Sequence, residues 1–216
     1  MGFSQIQVVL NYSLMNKTSL IFFSILLFGY AARSQTRIGL KVGLNLANQT
    51  KSISIPQVPN TKINTEPFVG YQLGVFYKSK LSKSLSLSAE TNFSVIGSGM
   101  TLSDSEGKIY DTNEKLGYIE LPITLQYSLN NLYVGAGPSI GIKVFSKLVG
   151  FENNTFDITS YKNIDAAGNI LIGYGLSNNL DLSARYSHGI VNIIKDPGYA
   201  KTNNRFFNLS LLYYFK

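Results

Sequence analysis

The chain has 216 residues, 14% of them charged, with a single His and no Cys or Trp. That length fits one domain or at most two, and the missing cysteines exclude a disulfide framework. Charge is well below the roughly one quarter of an ordinary soluble domain, and the +7 balance shows no stripe of Lys and Arg interleaved with aromatics, so nucleic acid is not expected as a partner.

The first element reads as a leader. LIFFSILLF, Leu20 to Phe28, is an apolar run with Lys17 before it and AARSQ after it. Ala32 and Ser34 are small residues at the two positions a signal peptidase reads, so cleavage is expected before Gln35. The run is too short to cross a bilayer as a helix, which takes about 20 residues. Met15 stands where such a leader should begin. The expected division is therefore a signal peptide over 1–34 and one domain over 35–216. Export would place that domain outside the cytoplasm.

Eight segments of the remaining chain alternate at period two, the mark of a strand with one apolar and one polar face. IGLKVGLNL sets Ile38, Leu40, Val42, Leu44 and Leu46 against Gly39, Lys41, Gly43 and Asn45. FVGYQLGVFY sets Val69, Tyr71, Leu73, Val75 and Tyr77 against Gly70, Gln72 and Gly74. LSLSAETNFSV runs without a break, with Leu85, Leu87, Ala89, Thr91, Phe93 and Val95 opposed to Ser86, Ser88, Glu90, Asn92 and Ser94. YIELPITLQY opposes Ile119, Leu121, Ile123, Leu125 and Tyr127 to Glu120, Thr124 and Gln126.

LYVGAGPSIGIKV follows, with Val134, Ala136, Ile140, Ile142 and Val144 against Gly135, Gly137, Ser139, Gly141 and Lys143. The sixth segment, near 165–176, is the least regular and carries Ile170, Ile172, Tyr174 and Leu176. LDLSARYS opposes Leu180, Leu182, Ala184 and Tyr186 to Asp181, Ser183, Arg185 and Ser187. RFFNLSLLYYF closes the series with Phe207, Leu209, Leu211, Tyr213 and Phe215; Leu212 and Tyr214 share its other face with Asn208 and Ser210.

Connections alternate in length. Short ones, KSKLSKS, SLNN and SNN, follow segments two, four and six; long loops are expected at about 47–67, 97–115, 146–164 and 189–204. Most segments approach ten residues, enough to cross a bilayer when tilted. Short turns at one end and long connections at the other are the pattern of a bacterial outer-membrane barrel.

The facing decides between that barrel and a secreted soluble barrel or sandwich of lipocalin type. No Lys, Arg, Asp or Glu falls on any of the eight apolar sets, where a charge would cost about 2–4 kcal/mol at the bilayer midplane. The polar faces are mostly Gly, Ser and Asn, which suits a narrow packed lumen better than bulk water. Tyr71, Tyr77, Tyr127, Tyr174, Tyr186, Tyr213 and Phe215 gather near segment ends on the apolar face, where interfacial girdles sit. An open sheet edge in lipid would leave backbone groups unpaired, so the sheet must close. The expected fold is an all-β, eight-stranded, antiparallel up-and-down transmembrane barrel in the outer membrane, with the apolar faces outward toward lipid.

GLKVGLNLAN, LSAETNFSVIGSG, YIELPITLQY, YVGAGPSIG and ARYSHGIVNI, in this order, resemble the PorT-type outer-membrane β-barrel family of Bacteroidetes. The resemblance implies an eight-stranded outer-membrane barrel and carries no activity with it. No peptidoglycan-binding domain follows the eighth segment, so the anchoring role of OmpA-like barrels is not expected.

Candidate chemistry is sparse. GAGPSIG, Gly135 to Gly141, looks like a dinucleotide loop, but such a loop must open a helix after a strand, and these glycines share one parity inside a strand. His188 is the sole histidine, and Ser187 beside it points to the opposite face of the strand, so the His-with-Ser arrangement of a lipid hydrolase or acyltransferase is not formed. Pro122 and Pro138 each remove a ladder donor, which implies a local bulge or a solvated amide position. Lys41, Glu90, Glu120, Lys143 and Arg185 all have inward parity. They are expected to form a paired structural network filling an interior that eight strands leave barely wide enough for side chains, rather than a selectivity lining. No cofactor or metal is expected. The expected function is non-catalytic: envelope structure, surface interaction or support of protein export. Outer-membrane lipids are the expected surroundings, and the periplasmic or surface protein partner is unspecified. A lipid-modifying enzyme and a narrow solute pore are the alternatives.

Overall fold

The computed structural model describes residues 36–55, 58–63, 65–103, 109–150, 155–196, 198 and 200–215. The expected leader, Met15 and the cleavage point before Gln35 lie outside these residues. Every described element is a strand: β1 (Thr36–Ile55), β2 (Val58–Ile63), β3 (Phe68–Lys80), β4 (Leu85–Ser103), β5 (Ile109–Leu129), β6 (Leu132–Val149), β7 (Thr155–Asp157), β8 (Ile164–Gly175), β9 (Leu180–Gly189) and β10 (Ala200–Tyr214).

Eight of them form a ring in the order β1-β3-β4-β5-β6-β8-β9-β10, closed by antiparallel pairing of β10 with β1 from Gly39↔Tyr214 to Ile53↔Ala200. Every neighbour in the ring is the next long strand in the chain, the up-and-down order expected from alternating short and long connections. The closed ladder leaves no edge to be satisfied in lipid. β2 pairs with the far end of β1, and β7 with the far end of β6.

The apolar sets face outward. Leu44, Leu73, Ile123 and Leu209 are 63%, 52%, 51% and 56% exposed, whereas Lys41, Asn92, Thr124 and Ser210, of opposite parity, are 2%, 0%, 1% and 1% exposed. Val95, last of the β4 set, is buried instead, near the level where the Glu66↔Gly99 bridge continues the sheet above β3. Aromatics form two bands on the outer face. Tyr127, Tyr174, Tyr213 and Phe215 lie near the short-turn end, while Tyr71 with Phe93 (6.3 Å) and Tyr186 with Phe207 (4.7 Å) lie toward the other.

The segments expected as long loops are largely strand. β1 continues to Ile55, β4 to Ser103 and β6 to Val149, and β5 begins at Ile109 and β10 at Ala200. Pairs such as Lys51↔Thr202 and Gly97↔Lys115 carry the ladder beyond the apolar band. Backbone pairing needs no apolar side chains once the strand leaves lipid. The period-two hydrophobic signal therefore ends before the strands do.

The prolines also behave differently from the bulge reading. The β4–β5 register passes from Ala89↔Ile123 to Asn92↔Glu120, skipping Pro122 without a shift. The β5–β6 register likewise skips from Pro122↔Ser139 to Leu125↔Ala136, where Pro138 stands. Each proline drops rungs but keeps the register. The irregularity of β5 against β6 falls instead between Gly117 and Tyr118. Two inward glycines make room for aromatic rings from the next strand: a Cβ on Gly173 would lie 2.1 Å from Cζ of Tyr133, and one on Gly39 2.5 Å from Cζ of Phe76.

Candidate functional site: the barrel interior

The strand pleat aims every second residue of eight strands into one narrow space, so polar groups there must find partners across the lumen. Lys41 on β1 meets Glu90 on β4, two strands around the ring, with Nζ 3.0 Å from Oε2. Arg185 on β9, two strands from β1 the other way, donates from Nη2 to the second carboxylate oxygen, Oε1. Asn92 Nδ2 adds a bond to Oε2 at 2.9 Å. One carboxylate thus ties together β1, β4 and, across the ring from β4, β9, and all three side chains are almost fully buried. The triad is a crossbar.

Glu120 and Lys143 lie apart from it. Glu120 accepts from Gln72 Nε2 at 3.1 Å and from Ser94 Oγ at 2.5 Å, and among the described residues it makes no ion pair. Its partners come from the β3 and β4 wall beside it, which offers amide and hydroxyl donors closer than either cation. Lys143 stands higher on β6, half-buried, and donates from Nζ to the Tyr161 carbonyl at 2.6 Å. Of the five inward charges expected as one network, the structure brings together Lys41, Glu90 and Arg185.

A third ion pair, apart from the triad, lies in residues read from sequence as loop. Lys51 Nζ is 2.7 Å from Glu114 Oε1, and the Tyr161 hydroxyl donates to Glu114 Oε2 at 2.7 Å. Burial, and then the adjacent Glu114 carboxylate, hold the Tyr161 hydroxyl well above its ordinary pKa, so it stays a donor. Extending the Lys41 parity up β1 and the Glu120 parity down β5 toward its start reaches these two residues. That was the available signal.

Above the crossbar the lumen is closed by apolar packing. Ala47, Ile96, Leu116, Tyr118, Tyr161, Ile193 and Phe206 form one buried cluster, with Leu116 and Ile193 at 0% exposure. Tyr161 and Ile193 come from the connections after β7 and β9, which are tied to each other by a Tyr161↔Ile194 bridge. The space left beside Tyr118, Glu120 and Asp165 is about 10 Å³, the size of a single water site. Below the crossbar, at the short-turn end, the barrel opens into a vestibule of about 500 Å³ lined by Arg37, Lys78, Tyr133, Asp181 and Tyr214 among others.

The other sequence candidates fall outside any shared site. Ser187 is buried and donates to Asn169 Oδ1 at 2.6 Å, while His188 is on the outer face with Nδ1 3.1 Å from the Tyr186 hydroxyl. Gly135, Gly137 and Gly141 lie inside β6, against β5. Among the described residues no group of three or more His, Cys, Asp and Glu is placed to hold a metal.

A family model described as an outer membrane protein beta-barrel domain matches residues 29–195. No curated protein matches the chain. Among solved structures, Ail, the attachment invasion locus protein of Yersinia pestis, is 13% identical and aligns over 83% of this chain and 98% of its own, with a TM-score of 0.42. Neisserial surface protein A is 12% identical over 82% of this chain and 97% of its own, at a TM-score of 0.48. The outer membrane protein OprG from Pseudomonas aeruginosa is 11% identical over 84% and 97%, at 0.42.

Proposed function

This chain belongs to the outer membrane β-barrel domain family, and from that premise we propose that it is a non-catalytic, non-conducting barrel whose role is envelope structure, surface interaction or support of protein export. The carrying observation is the filled lumen. The Lys41–Glu90–Arg185 crossbar spans it, and the cluster around Leu116 and Ile193 closes it above. A pore would need a continuous wet path, and a hydrolase would need a nucleophile and base on one face, which Ser187 and His188 do not share.

The finer parts of the reading are these. The chain is exported with cleavage before Gln35, outer-membrane lipid surrounds the apolar face, and a protein partner is met at one of the two barrel ends. Lipid A composition in cells with and without the protein tests the non-catalytic reading. An unchanged acylation pattern is expected, and a pattern that changes with the protein and reverts in His188→Ala would replace this reading with a lipid-modifying enzyme.

A further inference from the structure

The geometry points to the vestibule at the short-turn end as a binding pocket for an acidic peptide segment of a periplasmic protein. In outer-membrane barrels the short turns face the periplasm. The inference rests on that orientation, and not on whether the barrel conducts or catalyses.

Among the described residues, Arg37, Lys78 and Lys83 line the vestibule against one carboxylate, Asp181. Asp181 is itself engaged, its Oδ2 accepting from the Tyr214 hydroxyl at 2.6 Å. Two of the cations are held by rings. The Arg37 guanidinium lies 3.9 Å from the centre of Tyr214, and the Lys78 ammonium 4.1 Å from that of Tyr133. A cation seated on a ring face is fixed in place without using its N–H donors. The Lys78 ammonium therefore keeps donors for an incoming anion, as does Arg37 beyond its bond to the Asn178 carbonyl.

Shape and rim chemistry narrow the ligand further. The pocket, about 500 Å³, is in the range of ligand sites, roughly 300–1,000 Å³. It is blind, because Phe76, Leu212 and Tyr214 pack together at its inner end, with the crossbar beyond them. A ligand must enter by its tip. The rim carries Asn130, Asn131 and Asn178, whose side chains both donate and accept. A peptide backbone presents both N–H and C=O groups to such a rim, whereas a free phosphate presents acceptors almost alone. An acidic peptide thus matches the cations with its side chains and the rim with its backbone.

The test is fluorescence anisotropy with labelled hexaglutamate, on folded protein purified from membranes into neutral detergent at low salt. Saturable binding is expected, weakened by roughly tenfold or more when Lys78→Gln and Lys83→Gln remove two of the facing charges. Lys147→Gln, an exposed lysine at the other end of the barrel, should bind as the wild type does. Each variant is first checked for the gel shift between unboiled and boiled samples, and Lys83→Gln alone, on an exposed turn, serves if the pair does not fold. Absence of saturable binding, or equal binding by the charge-removed variants, would overturn the proposal. Displacement of the peptide by pyrophosphate at matched charge would also overturn it, because that result describes a small-anion site.

Discussion

Glu90→Ala should be the most damaging single substitution in the barrel interior. Glu90 is the common partner of Lys41 (3.0 Å) and Arg185, so its removal leaves two buried cations facing each other. Taking one member from a buried pair costs about 3–5 kcal/mol, and the loss of a carboxylate shared by two cations belongs at the upper end, near 5 kcal/mol. Arg185→Ala leaves Glu90 still held by Lys41 and by Asn92 at 2.9 Å, which places its cost near the lower end, about 3 kcal/mol. Glu120→Ala removes bonds from two neutral donors, Gln72 and Ser94, and should cost only about 1–3 kcal/mol. Because the chain has no Trp, unfolding in urea is followed by far-UV circular dichroism and by the boiled-versus-unboiled gel shift, in lipid vesicles. A triple replacement of Lys41, Glu90 and Arg185 by apolar residues of similar volume should recover most of the loss, since a well-packed apolar substitute for a buried ion network is often neutral or stabilising. If Glu90→Ala unfolds no more easily than Arg185→Ala, or both match the wild type, the crossbar does not hold the walls together.

Ile123→Arg, on the exposed apolar set of β5, should destabilise the barrel in vesicles by about 2–4 kcal/mol, and Leu87→Arg on the neighbouring strand should act in the same direction. Ser88→Arg faces the lumen and should fail by crowding, in detergent as much as in lipid; stable folding of Ile123→Arg in vesicles would reverse the facing. Gly173→Val would press its side chain into the Tyr133 ring, 2.1 Å from a built Cβ, and should lower the folded yield, with Tyr133→Ala restoring part of it on the same gel. His188→Ala should leave the fold and the cellular lipid A profile unchanged, as a mass spectrum of extracted lipid A would register.

The ring of eight strands and its facing were legible because lipid on one side and a packed lumen on the other impose opposite chemistry on alternate residues. Ile38 to Leu46 show this most clearly. The continuation of β1 to Ile55 was not legible, since beyond the apolar band no solvent contrast marks the pleat. Parity also gives a face but not a partner. Lys41, Glu90, Glu120 and Arg185 all read as inward, yet only the ring closure shows that Glu90 lies between two cations while Glu120 lies against amides and hydroxyls. The cap was hidden for a related reason. Tyr161 and Ile193 sit in irregular connections, and their burial comes from how those connections fold back into the mouth rather than from any local pattern.

Single-channel recording of the purified protein in planar lipid bilayers tests the filled lumen most directly. With the crossbar and the apolar cap in place, insertion should produce no steady openings, and a folded Glu90→Ala barrel, which keeps the apolar cap, should stay closed as well. Steady, ion-selective openings of the wild-type protein would contradict the account, because Lys41, Glu90 and Arg185 would then line a pathway instead of closing one.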